Sequence, residues 1–265
     1  MIPKIIHYCW FGGNTKSESV KKYIESWRKY CPDYEIKEWN ESNFNLNEND
    51  YCKEAYEAKK WAFVTDYVRL KALYEYGGIY MDTDVEVVKN FDDLLTYNSF
   101  MCFESPMAVS IGTFGSVKKL NLIEDLLNKY KGRHFQWRDD NQMITNLDIV
   151  TQVLQKKYNL KLNGMRQVLS DNIVIFPMEY FIAKSNLTGW IVKNEETYAI
   201  HHYAASWFDD SLRQKSLRHQ YYARYYMKKF EKLASKLASI HVIYEMNGSA
   251  GVMKRILSKI THTSL

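Results

Sequence analysis

The stretch Tyr74-Glu75-Tyr76-Gly77-Gly78-Ile79-Tyr80-Met81-Asp82-Thr83-Asp84-Val85 decides how this chain is read. Glycine carries no Cβ, so the pair Gly77-Gly78 is suited to end a helix where the backbone must turn. Ile79-Tyr80-Met81 then reads as a short apolar strand that runs straight into two carboxylates two residues apart. In a continuing strand Asp82 and Asp84 point the same way, with only a short gap between them. Two like charges that close are unfavourable unless a positive group lies between or beside them. A hard divalent cation with oxygen ligands meets that need, and such ions are commonly shared with substrate phosphates. The plainer alternative is a pair of turn carboxylates that cap Asn90 or the next helix.

Working outward, Tyr56 to Tyr76 has helical rhythm, with Ala62, Val64, Tyr67, Val68, Leu70, Leu73 and Tyr74 available to pack. Within it Asp66 and Arg69 are three residues apart and share a face. Such a pair is ordinarily a solvated surface contact worth a few tenths of a kcal/mol. This one is embedded in an apolar helix that feeds the acidic strand, which favours a buried, mutually neutralised pair. Strands are expected at Lys4–Trp10, Tyr34–Trp39, Phe100–Phe103, Ser110–Phe114, Asn172–Phe176 and Tyr198–His201. Helices are expected from a Ser17 cap to about Lys29, over Leu120–Tyr130 and over Asn141–Tyr158, with loop from Asn40 to Asp50. Alternation of strand and helix suits βαβ units. The fold class is therefore α/β, a mostly parallel sheet flanked by helices. Ligands of such sheets sit at the carboxyl ends of strands, which is where Asp82 and Asp84 fall.

The 265 residues suit one folded domain with an appendage, and the composition (46% hydrophobic, 25% charged, 4 prolines) excludes collagen-like, low-complexity and disordered classes. No run reaches the ~18 consecutive apolar residues of a membrane span, and the first ten residues read as a strand and not a leader. Cys9, Cys31, Cys52 and Cys102 form no CxxC pair, so buried, reduced thiols are expected. The net charge of +5 hides an asymmetry. Residues 211–265 hold 11 Lys or Arg against 2 acids, leaving 25 basic and 29 acidic groups on the rest. The domains are read as 1–210 and a basic, aromatic, helical extension 211–265. In it Leu217, Tyr221, Tyr225, Phe230, Leu233, Leu237 and Ile240 recur at helical steps, and Val252, Met253, Ile256, Leu257 and Ile260 repeat the pattern. That helix either packs on the domain or lies on an anionic membrane surface. No recognition motif accompanies the charge, so nucleic acid is not an expected partner.

Three segments in order carry a resemblance: Ile5-Ile6-His7-Tyr8-Cys9-Trp10-Phe11-Gly12-Gly13, Ala62-Phe63-Val64-Thr65-Asp66-Tyr67-Val68-Arg69-Leu70, and the glycine-led run through Asp84. Together they resemble glycosyltransferase family 32, a DxD-containing group of GT-A fold that includes bacterial capsular polysaccharide and O-antigen sugar transferases. They are similar, more distantly, to the glucosyltransferase domains of clostridial toxins. A weaker match is His201-His202-Tyr203-Ala204-Ala205-Ser206-Trp207. The resemblance implies a metal-dependent, retaining transferase that moves a hexose or N-acetylhexosamine from a UDP-sugar to a glycan, with Mn2+ or Mg2+ as cofactor. It places Trp10 on the uracil, Asp66 and Arg69 on the sugar hydroxyls with Thr65 beside them, and Tyr80 in the donor site. Asp82 and Asp84 become the acidic motif, Asp84 binding the metal directly and Asp82 contacting metal or ribose. Asp66 and Arg69 join them as the catalytic set. It places His202 as a further metal ligand, with His201 and Ser206 as competitors, and Trp207 with Ser206 over the diphosphate. Asp140, Asn141 and Gln142 are candidates for the polar group beside the anomeric carbon. The acceptor is expected to be a glycan or lipid-linked glycan, and the location cytoplasmic, peripheral at the inner face of the membrane.

Two rivals remain. An apolar strand followed by Asp82-Thr83-Asp84-Val85 also suits a haloacid-dehalogenase-type phosphatase, with a nucleophilic Asp and an acid/base Asp two residues on. That reading leaves Trp10, Asp66 and Arg69 without a role. A carbohydrate- or membrane-binding module would explain the aromatics and the basic tail but needs no acidic pair.

Overall fold

Strand β1 (Ile5–Cys9) is followed by α1 (Glu18–Tyr30), whose Val20 amide donates to the capping Ser17 side chain and whose buried face carries Ile24 and Trp27. Glu18 in its first turn and Arg28 and Lys29 in its last each complement the helix dipole. Next come β2 (Glu35–Trp39), α2 (Asp50–Glu57), α3 (Trp61–Tyr76), β3 (Gly78–Met81) and β4 (Val85–Val87). The hairpin β5 (Ser99–Ser105) and β6 (Ala108–Ser116), α4 (Asn121–Leu127), α5 (Asn146–Tyr158), β7 (Gln167–Leu169), β8 (Ile173–Phe176) and β9 (Ala199–His201) complete the described elements. The computed structural model describes residues 1–136, 144–185 and 188–204, with positions 215, 218–220, 236, 239–244, 249 and 252–253 beyond them.

Seven strands form one sheet in the order β2-β1-β3-β6-β5-β8-β7. β1 pairs in parallel with β2 and β3, and β5 pairs in parallel with β8. β6 runs against β3 and β5, and β7 against β8, so five strands point one way and two the other. The mostly parallel α/β sheet expected from the sequence is present. Its two reversed strands come from short connections, since strands joined by a tight hairpin such as β5–β6 must run antiparallel. β4 and β9 form a separate antiparallel ribbon that pairs Val85 with His201.

The expected helix 56–76 is two helices. Asn49 accepts a hydrogen bond from the Cys52 amide and starts α2 early, inside the stretch read as loop. Lys59 then adopts a left-handed φ of 57°, and α3 starts afresh at Trp61. No glycine or proline marks that break, so the local pattern conceals it. α3 is apolar on nearly every side and packs against α2, α4, β1 and β3, which buries Asp66 and Arg69 with its hydrophobic residues. The Asn141–Tyr158 expectation narrows to a helix from Asn146, with 141–143 outside the described residues.

The junction from α3 to β3 is held by His7, which has no exposed surface. Its Nδ1 accepts the Trp39 indole N–H at 3.1 Å, so its proton sits on Nε2, which donates to the Gly77 carbonyl at 2.8 Å. Burial lowers its pKa to about 4, which keeps the ring neutral. Gly78, at φ 110°, passes so close that an added Cβ would lie 2.6 Å from the Ile5 carbonyl oxygen. All four cysteines are buried and free.

The chain divides into two compact units, residues 1–183 with 192–202, and residues 184–191 with 203–265. The expected boundary at 210 falls outside the described residues, as do Leu217, Tyr221, Tyr225, Phe230, Leu233, Leu237, Ile256, Leu257 and Ile260. Of the tail's apolar set, Ile240 and Met253 are exposed. Among the described residues no helix is long and apolar enough to cross a membrane.

Candidate active site

β3 ends at Met81, and Asp82-Thr83-Asp84 folds as a turn in which the Val85 amide donates to the Asp82 carbonyl at 3.1 Å. The two acids therefore do not share one face of a continuing strand, as the two-residue spacing suggested. The turn and the β4–β9 ribbon bring them together instead. Val85 pairs with His201, which sets the imidazole Nε2 3.1 Å from Asp84 Oδ1. Ligand atoms of Asp82, Asp84 and His201 all lie within 4.8 Å of one another. Two carboxylate oxygens and one imidazole nitrogen form an oxygen-rich set that fits a divalent cation such as Mn2+ or Mg2+.

Local charge matches that use. Burial raises the Asp82 pKa, with the like charge of Asp84 adding to it and Arg69 opposing both. Burial disfavours the His201 imidazolium, yet the charge and hydrogen bond of Asp84, with Asp82 and Glu104 adding to them, lift the pKa to about 9. A proton on His201 therefore faces two carboxylates, and a divalent cation held by the same three groups would replace it.

Arg69 supports Asp82 from within α3. Its Nη2 lies 3.2 Å from Asp82 Oδ1 and 3.6 Å from Asp66 Oδ1, so one nitrogen links both acids. Asp66 is 4% exposed, and burial raises its pKa to about 6 although Arg69 opposes the shift. Thr65 donates to the Ala62 carbonyl at 2.7 Å and accepts from Arg69 Nη2 at 2.9 Å. Tyr80 donates its hydroxyl to Asp82 Oδ1 at 2.9 Å, and the Arg69 guanidinium lies 4.5 Å from its ring centre. Tyr80 thus orients Asp82.

His202, which the resemblance offered as metal ligand, faces elsewhere. Its Nε2 is 2.9 Å from Glu86 Oε2 and its ring stacks on Tyr23 at 4.6 Å. Successive residues of a strand point to opposite sides, so only one histidine of the pair can face Asp84, and it is His201. Trp10 follows β1, and the register that pairs His7 with Tyr80 carries it to the same rim as Asp82. Its indole N–H donates to the Asn14 carbonyl at 2.7 Å, and Lys16 lies 5.4 Å over the ring. Beyond it a pocket of about 530 Å³ is lined by Gly12, Asn14, Glu41, Tyr56, Lys59 and Trp61. Asp140, Asn141, Gln142, Ser206 and Trp207 lie outside the described residues.

Sequence reasoning overlooked two contributors. Asn146, the first residue of α5, donates to Asp66 Oδ1 at 2.5 Å across 80 residues of chain. Gly112 sits so close to the cluster that a Cβ there would lie 2.9 Å from Asp82 Oδ2 and 3.3 Å from His201 Cε1. The Thr145/Asp148 capping box that starts α5 is legible in the sequence, but its alignment with α3 is not.

Residues 17–101 match the family described as a glycosyltransferase sugar-binding region containing a DXD motif. The matched segment runs from the cap of α1 into β5 and includes Asp66, Arg69, Asp82 and Asp84. Mannosyl phosphorylinositol ceramide synthase SUR1 of Saccharomyces cerevisiae is 30% identical over 127 residues, 45% of this chain and 32% of that protein. Inositol phosphoceramide mannosyltransferase 3 of Schizosaccharomyces pombe is 32% identical over 125 residues, 44% of this chain and 34% of that protein. The matched regions thus span about a third of the length of these curated relatives. Among solved structures, PaToxG glycosyltransferase superposes with a TM-score of 0.47 at 21% identity, over 59% of this chain and 70% of that one.

Proposed function

We propose that this chain is a divalent-metal-dependent, retaining glycosyltransferase of GT-A type. It moves a hexose or N-acetylhexosamine from a nucleoside-diphosphate sugar, a UDP-sugar first, to a glycan hydroxyl. The observation that carries the reading is the Asp82–Asp84–His201 cluster at the sheet rim, backed by the buried Arg69–Asp66 pair. A phosphatase with a nucleophilic Asp has no use for an arginine held between that acid and a second buried one.

Asp82, Asp84 and His201 would hold the cation, which supplies charge neutralisation for the departing diphosphate. Arg69 and Tyr80 keep the Asp82 carboxylate turned toward that position. Trp10 and the pocket beside it receive the base and ribose, with the indole face offering stacking area. Asp66 accepts hydrogen bonds from the sugar. Front-face attack by the acceptor hydroxyl would keep the anomeric configuration. The acceptor is a lipid-linked glycan such as a capsule or O-antigen intermediate, which the basic extension 211–265 would help the enzyme meet at the inner face of the cell membrane. The names of the relatives bring nucleotide-activated mannose and inositol phosphoceramide into the same panel of tests.

Release of free nucleoside diphosphate from UDP-sugars and activated mannose, with Mn2+ present and absent, is the direct test. Mn2+-dependent turnover is expected, and Asp84→Ala should reduce it by at least about a hundredfold. The unfolding temperature without metal should stay within a few degrees of wild type. Turnover by D84A at the wild-type rate rejects the reading.

A further inference from the structure

We infer that helix α1 is the clamp that sets the geometry of the metal site, and that Tyr23, acting through His202, is a positioning residue for the cation ligand His201. The inference rests on the metal-dependent transferase reading above and concerns residues outside the Asp82–Asp84–His201 set.

Two of the three ligands depend on a very short ribbon. Asp84 immediately precedes β4 and His201 closes β9, and each of these strands is only 3 residues long. A two-stranded ribbon is marginal in water on its own, so one this short has to be held by its neighbours. Across it the His202 amide donates to the Asp84 carbonyl at 2.8 Å, beside the pairing of Val85 with His201. These contacts make the two ligands move together. A bridge from Ile182 to Ile200 steadies the outer edge of β9. The outer edge of β4 is met instead by side chains of α1.

Four positions of α1 grip the ribbon and the chain that leaves it. Trp27, fully buried, donates its indole N–H to the Val85 carbonyl at 2.8 Å. Ser26 Oγ accepts the Val87 N–H at 2.9 Å and donates to the Tyr23 carbonyl at 2.6 Å. Beyond β4, the Tyr30 carbonyl accepts from the Asn90 amide at 2.9 Å. Tyr23 stacks on His202 with ring centres 4.6 Å apart and planes 17° from parallel. Positions 23, 26, 27 and 30 follow the three- and four-residue steps of one helical face. His202 Nε2 also lies 2.9 Å from Glu86 Oε2, which ties β9 to β4 on the side away from His201. The stack therefore fixes the end of β9, and with it the direction of the His201 ring. A ribbon free to shift would present Asp84 and His201 correctly in only a fraction of molecules, and apparent cation affinity falls by that fraction.

The test uses the full chain with Mn2+ as probe and compares wild type with Tyr23→Ala, Tyr23→Phe and Ser26→Ala. Three quantities are measured: Kd for Mn2+ alone by calorimetry, Kd for UDP at saturating Mn2+, and the unfolding temperature with metal chelated. Tyr23→Ala should weaken Mn2+ by about three- to tenfold, the range that loss of an aromatic stack commands. Tyr23→Phe keeps the ring and should hold the wild-type Kd. Ser26→Ala leaves the Val87 N–H unmet and should weaken Mn2+ by about two- to tenfold. At saturating Mn2+ every variant should bind UDP within about twofold of wild type, because the bound cation selects the competent ribbon. Tyr23→Leu, which fills the space without stacking, supplies the same comparison if the unfolding temperature shows that Y23A does not fold. Wild-type Mn2+ affinity in the Tyr23→Ala (or Leu) and Ser26→Ala variants overturns the inference and leaves the transferase reading standing. A loss in Tyr23→Phe as large as in Tyr23→Ala also overturns it, since the hydroxyl and not the stack then matters. Equal losses for Mn2+ and for UDP at saturating Mn2+ overturn it as well, since they mark general damage to the fold. A wild-type chain that binds no Mn2+ overturns the metal-dependent reading and the inference with it.

Discussion

Gly112 shows how narrow the tolerance of this site is at the scale of one residue. A methyl group there would meet Asp82 Oδ2 at 2.9 Å, a contact real Cβ atoms essentially never make, so either the carboxylate or strand β6 must shift. Gly112→Ala should weaken Mn2+ binding by about tenfold or more, with only a modest loss of stability, on the order of 1–2 kcal/mol. Calorimetric Mn2+ titration beside thermal unfolding checks both, and unaltered Mn2+ affinity would show that the side chains adjust freely. The acids and Arg69 were legible in the sequence because their spacing is local: three residues on a helix, two at a strand end. The choice between His201 and His202 was not, because pairing of Val85 with His201 decides it from across the ribbon. Asn146 gave no signal at all, since its partner lies in another helix.

Elements explain how buried charge is tolerated. α3 is the most enclosed helix of the first unit and yet carries Asp66 and Arg69, each satisfied by the other and by Asp82, Ile111 and Asn146. The junction that leads from it into β3 depends on neutral His7. In the unfolded chain an imidazole takes up a proton near its ordinary pKa of about 6.5, while the folded value is about 4. The His7 contribution is therefore complete above pH 6.5, shrinks as pH falls toward 4, and amounts to roughly 3 kcal/mol over that window. Asp66 works in the opposite sense. Its pKa is raised to about 6 in the fold, so its protonation favours the folded state as pH falls through that value. Wild-type stability is thus flattened between pH 4 and 6, and the difference between His7→Gln and wild type isolates the histidine. Denaturant unfolding of both proteins should show the gap closing as pH drops from 7 to 4. A gap independent of pH would mean that His7 is not buried neutral.

At the scale of the whole molecule, charge is segregated along the chain. Residues 211–265 carry 11 basic groups against 2 acidic ones, and the remainder is mildly acidic. If the extension serves to meet a membrane, full-length protein should pellet with anionic liposomes and release as salt rises, because surface attraction is screened within about a Debye length. A chain ending at residue 210 should stay in solution. Equal recovery of the two proteins in the pellet would remove the membrane role while leaving the transferase site untouched.

The sequence by itself determined the α/β class, the rim on which the acids lie and the identity of the buried Asp66–Arg69 pair. These follow from periodicity and from glycine's freedom to turn, both of which act between near neighbours. Only tertiary structure decided that α2 and α3 are separate helices, that β6 runs backwards through the sheet, and that His201 joins the two acids. Those outcomes depend on contacts between segments far apart in the chain, where hydrogen-bond register and side-chain burial, not local propensity, carry the free energy.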